Sequence, residues 1–135
     1  AGTENILGSL NGVFFTDANT SKPTFANHLV ALNAATDITA LVNDSPLQQY
    51  EVRSNNAGAS AQADVGATAD IAYTAGSTAN FVSGCTLDDA TINVAVQQLK
   101  IIGVSRDPEN NDLTAANVVW RVIVNQSAFD DTSGV

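Results

Sequence analysis

Two apolar runs separated by a polar loop dominate the pattern of the chain. They are Leu99–Val104 and residues 118–124, both rich in β-branched side chains and each about one strand long. Such residues fit a pleated, half-buried surface better than a helix. The second run alternates, with Val118, Trp120, Val122 and Val124 on one face and Val119, Arg121, Ile123 and Asn125 on the other. Between the runs, Arg106-Asp107-Pro108-Glu109-Asn110-Asn111-Asp112 is turn chemistry: Pro108 pre-sets φ and Asp107 can bond the backbone two residues on. The pattern predicts a long antiparallel hairpin with a wide acidic loop. Trp120, the one tryptophan, should anchor the core with its N–H near a sheet edge or a carbonyl.

The rest of the chain reads as further short strands. Residues 1–9 have little periodicity and are expected to form an extended arm, ordered only if something binds it, with an edge strand of the same domain as the alternative. Residues 10–16 and 23–29 should form a first hairpin about a turn at residues 17–22. Residues 25–35 can be read a second way, because Phe25, Leu29 and Leu32 also share a helical face. Residues 39–42 and Gln49–Arg53 are predicted strands, parted by Asn43-Asp44-Ser45-Pro46. Residues 54–69 read as a loop, with room for one helical turn. Residues 70–74 are a strand, and 81–82 the start of another. Residues 87–93 read as a polar connection, and 92–96 as the lead into the long hairpin. Residues 128–135 read as a mobile acidic tail. Seven to eight short strands with turns between them predict an all-β fold, a single-domain β-sandwich or barrel over residues 10–127.

Charge narrows the functional classes. Five Lys/Arg against 14 Asp/Glu give a net charge of -9, with no basic cluster, which disfavours nucleic-acid binding and an anionic membrane surface. No apolar run approaches a bilayer span. Charged residues are 14% of the chain, well under the usual quarter, so Asn, Thr, Ser and Gln supply the polarity. That composition suits a protein packed against neighbours, and equally a β-rich secreted domain.

Catalytic chemistry has no handle. His28 and Cys85 are the only His and Cys, and nothing in the spacing brings them together. Cys85 is expected to be a small buried hydrophobe and His28 an ordinary histidine. No zinc-protease, CxxC, phosphate-loop or nucleophile-elbow motif occurs. Asp107, Glu109 and Asp112 share a loop and Asp88-Asp89 are adjacent, but their spacing is not that of a calcium loop and reads first as turn chemistry. No catalytic, metal or cofactor residue is therefore assigned.

One ordered set of motifs carries a resemblance. GVFFTD (residues 12–17), KPTF (22–25), VNDSPLQQYEV (42–52), QADVGATADI (62–71), AGST (75–78), QLKIIGVSRDPENND (98–112) and VVWRVIVN (118–125) occur in this order. Together they resemble a family of small virion proteins of tailed bacteriophages, the capsid decoration or cement proteins. The chain departs from that family in a shorter stretch before GVFFTD and a less acidic ending. The resemblance implies a structural, non-enzymatic protein on the outer capsid surface, with the major capsid protein as partner, no cofactor, and a homo-oligomer such as a trimer. Two rival classes are a secreted adhesin or carbohydrate-binding β-sandwich, which needs an exposed aromatic platform, and an RNA-phage coat protein, which needs a basic sheet. Neither suits eight aromatics mostly inside strands and a sheet whose only cations are Lys100 and Arg121.

Overall fold

The computed structural model describes residues 4–29 and 34–129. Among these residues the chain is all-β: eight strands in two antiparallel sheets, with a single 3-10 turn at Gln62–Asp64. The strands are β1 (Ser9–Thr16), β2 (Pro23–Ala26), β3 (Thr39–Asn43), β4 (Gln49–Arg53), β5 (Thr68–Ala72), β6 (Thr86–Asn93), β7 (Leu99–Val104) and β8 (Val119–Val124). The smaller sheet has the order β2-β1-β3 and the larger β4-β8-β7-β5-β6.

The expected long hairpin forms from β7 and β8. Leu99 faces Val124 and Ile101 faces Val122; a bulge at Ile102 then shifts the register so that Val104 faces Trp120. The loop is closed by a device that turn propensity does not reveal. The Asn110 amide donates to the carbonyls of Val119 (2.9 Å) and Ser105 (3.3 Å) and accepts the Val119 N–H at 2.9 Å. One side chain thus continues the ladder past the strand ends. The first hairpin also forms, β1 against β2, with Phe14 opposite Phe25. Its turn is held by Asp17, whose Oδ1 accepts the N–H groups of Asn19 and Thr20.

The inner face of the larger sheet is continuous in register. Tyr50 and Val52 of β4 face Val122 and Trp120 of β8; Ala69 of β5 faces Leu99 of β7; Ile71 faces Leu87 of β6. Ala69, Leu87, Leu99, Ile101, Val118, Trp120 and Val122 form the buried core. Trp120 is 0% exposed, as expected of a mid-strand anchor. Its indole N–H, however, has no hydrogen-bond partner among the described residues. In mid-sheet the neighbouring carbonyls are committed to the ladder.

The larger sheet also curls until its two edge strands touch. Ser54, just past β4, bridges Leu87 of β6 in parallel, and the Asn55 N–H bonds the Leu87 carbonyl at 2.9 Å. Asp89 fastens this closure. It is only 5% exposed; Oδ2 accepts the Ser54 hydroxyl at 2.5 Å and Oδ1 accepts the Gly58 N–H at 2.8 Å. Asn55 adds a bond to Asp88.

Several expectations change here. Residues 87–93 are not a connection but most of strand β6, and residues 94–98 are the turn that follows it. The polar composition misleads because the inward position after Leu87 is Asp89, which is buried for its hydrogen bonds. A wide bulge adds to the disguise: Asp70 pairs with Asp88 but Thr68 pairs with Asn93, so residues 89–92 oppose Ala69 alone. The Thr91 hydroxyl takes the Asp70 N–H at 2.9 Å in place of a ladder carbonyl. Residues 81–82 start no strand: Phe81 has a positive φ of 57 degrees in a turn closed by Ser77. The arm is not free along its described length, since the Ile6 N–H bonds the Gln126 carbonyl at 2.8 Å and the Ala128 N–H bonds the Ile6 carbonyl at 3.0 Å. Residues 27–29 are not helical. Residues 1–3 of the arm, 30–33 of the segment readable as helix, and 130–135 of the tail lie outside the described residues.

Removing the Asp89 carboxylate leaves the Ser54 hydroxyl and the Gly58 N–H without an acceptor. An unsatisfied buried group costs about 1–3 kcal/mol, so Asp89→Ala should lower the unfolding free energy by roughly that amount or more, measured by urea denaturation. Trp120→Ala should cost about 3–5 kcal/mol in the same assay.

Candidate interaction surface

The smaller sheet turns an apolar face outward. Strand alternation places Val13 and Phe15 of β1 on the covered side and Phe14 on the other. Direct cross-strand partners share a face, so Phe14 lies with Phe25 of β2 and Thr39 of β3, and Gly12 with Leu41. Phe14 is 47% exposed, Phe25 59% and Leu41 44%. Gly12 lies beneath the far end of the Phe25 ring, which a Cβ there would push aside. The result is an aromatic and aliphatic strip across three strands.

The sheet end beside Phe14 is pinned by a carboxylate. The Thr16 hydroxyl donates to Asp37 Oδ2 at 2.6 Å and the Thr16 N–H to Oδ1 at 3.0 Å. These bonds, the hydroxyl first, hold the Asp37 carboxyl below its ordinary range. His28, just past β2, stacks on Phe81 with ring centroids 3.5 Å apart and planes 1° from parallel. That contact joins the smaller sheet to the loop before β6. Other apolar side chains stand out elsewhere, among them Val94 at 98% exposure, Val96 and Leu47. Single exposed apolar residues are ordinary on a protein surface; a strip of them on one face is the feature that marks an interface.

The remaining candidates scatter. Cys85 is exposed, against the expectation of burial, because it precedes the edge strand β6 rather than lying within the core layer. His28 is held by Asn27 and Phe81, and no bond joins it to Cys85. In the acidic loop, Asp107 accepts the Glu109 N–H and Asp112 accepts the N–H and hydroxyl of Thr114, which lowers the Asp112 carboxyl below its ordinary range. Both carboxylates are thus engaged in their own turns. Among the described residues no three His, Cys, Asp or Glu side chains gather to hold a metal ion, and no helix is long and apolar enough to cross a membrane.

The strip itself was hidden in the sequence by placement in strands. GVFFTD and KPTF read only as strands of a first hairpin, but adjacent aromatics on one strand must face opposite ways, so Phe14 and Phe15 cannot both be inside. Comparison with protein-family models, with curated proteins and with solved structures finds no match.

Two outcomes follow. Phe25→Ser, at an exposed position, should change the unfolding free energy by less than about 1 kcal/mol while reducing binding of a hydrophobic-surface dye. Thr16→Val should raise the Asp37 titration midpoint toward its ordinary value, followed by NMR of the carboxyl carbon. The sign is fixed by a depressed carboxylate: the contribution to stability is present above the unfolded value, about 3.9, and is lost as pH falls through the folded one.

Proposed function

We propose that this chain is a structural virion protein of a tailed bacteriophage, a decoration or cement protein that binds the outer capsid surface and stabilises the head. The observation that supports it most is the ordered set of motifs from GVFFTD to VVWRVIVN. The exposed strip of Phe14, Phe25 and Leu41 agrees with it, being the kind of surface a lattice-bound protein buries. Its partner is the major capsid protein, and it acts as a homo-oligomer, a trimer in the simplest case. The role is binding rather than catalysis. On a shell of identical sites, a modest affinity per contact adds across neighbouring copies.

The same strip gives the adhesin or carbohydrate-binding reading more support than the sequence did, because Phe14 and Phe25 lie side by side on an open sheet face. The two readings part in one experiment. The protein is mixed with purified heads of the phage that encodes it and, separately, with an insoluble polysaccharide panel, and each mixture is sedimented. Saturable co-sedimentation with heads, reduced at least about tenfold in apparent affinity by the pair Phe14→Ser and Phe25→Ser, is the expected result; tenfold corresponds to about 1.4 kcal/mol. Sedimentation with polysaccharide and not with heads would replace the capsid reading by the carbohydrate one.

A further inference from the structure

The larger sheet is closed at one end and open at the other. At Ser54 and Leu87 its edge strands bridge. Toward the start of β4 they part, and a cavity of about 350 Å³ opens between them. Its floor is the inner face of the sheet, with Ile71, Leu99, Val122 and Val124. One wall is Tyr50 to Arg53 of β4; the opposite wall is Ser83 and Cys85, just before β6; Ile6 and Gly8 of the arm and Ser9 at the start of β1 also line it. Four consecutive β4 residues line it, so the cavity meets the backbone edge of the strand and not only its inward side chains.

We propose that this seam is a binding site for an extended peptide segment of a partner protein, which pairs with β4 as an added strand. Three observations lead there. First, among the described residues β4 has a ladder neighbour only on the β8 side along Gln49 to Arg53. Such an edge presents alternate N–H and C=O groups that require a hydrogen-bonding partner, which an aliphatic ligand cannot supply. Second, β4 is regular, with five successive register pairs and no bulge, whereas the opposite edge strand β6 carries the residue 89–92 bulge that spoils a pairing edge. Third, the side chains on either side of the edge are sorted. Tyr50 and Val52 face the apolar cavity, and Glu51 and Arg53 face outward.

Charge specifies the occupant further. Arg53 makes no ion pair or side-chain hydrogen bond among the described residues, while Glu51 is engaged by the Ser105 hydroxyl at 2.8 Å. The complementary segment is therefore apolar at the alternate positions that enter the seam, with an Asp or Glu between them opposite Arg53. This inference stands apart from the capsid reading and holds for any partner presenting such a segment.

Cys85 provides the readout, being an exposed thiol on the seam wall. The probe is a synthetic peptide of about eight residues, one strand in length, with valine at alternate positions, threonine between, and one threonine replaced by aspartate. The rate of Cys85 alkylation by iodoacetamide is measured against peptide concentration, alongside amide exchange in β4. Saturable slowing of alkylation with protection of β4 amides is expected. A copy of the peptide N-methylated on its pairing edge should give no protection. Arg53→Glu, at an exposed outward position, should weaken the aspartate peptide by about two- to fivefold and favour a lysine peptide by a similar factor, the range of one cross-strand ion pair. Equal protection by the N-methylated peptide would overturn strand pairing in favour of simple apolar filling. No protection at millimolar peptide would overturn the site altogether.

Discussion

The closure of the larger sheet at Asp89 is the interaction on which the rest of this structure depends. Five strands alone make an open sheet with one apolar face in water. Bridging Ser54 to Leu87 wraps that face about Trp120, and the Asp89 carboxylate fixes the bridge by accepting from the Ser54 hydroxyl and the Gly58 backbone. A carboxylate so deeply placed is tolerable because its oxygens meet donors; the same group without them would oppose folding. Trp120 then needs no polar partner to hold its place, since packing on every side fixes it, and the cost of its unpaired N–H is borne by that burial.

Closure at one end has consequences at the other. The strands that meet at Ser54 diverge toward Tyr50, leaving both a cavity and a bare strand edge. Ile6 and Gly8 of the arm and Ser9 at the start of the smaller sheet line that gap without closing it. The smaller sheet continues from the arm that runs beside residues 126–128, and its Phe14, Phe25 and Leu41 strip faces outward. The chain thus pairs its strands within two sheets while leaving one regular edge and some apolar surface uncovered. For a chain with so few charges, that balance agrees with the proposed role on a capsid and equally with a β-rich secreted domain.

The β7–β8 hairpin, β4, and the first hairpin were legible because alternation and turn residues agree there, so local preference and the final fold point the same way. β6 was not legible. Its inward Asp89 and its four-residue bulge erase the period-two pattern, and both are justified only by partners at Ser54, Gly58 and Asp70 far away in sequence. The Asn110 bridge to Val119 failed to show for a related reason: asparagine in a loop reads as turn chemistry whether or not it reaches a strand end. Exposure of Phe14, Phe25 and Cys85 depends on which layers cover which faces, and composition does not carry that information. The adjacent Phe14-Phe15 pair was the one available signal, because a strand cannot bury both.

The proposed role turns on which surface meets the capsid. An electron cryomicroscopy map of heads incubated with the protein tests it most directly. The account predicts added density on the outer shell into which the two-sheet domain fits with the Phe14, Phe25 and Leu41 strip against the major capsid protein. Shells that remain bare at saturating protein, or density with that strip facing solvent, would contradict it.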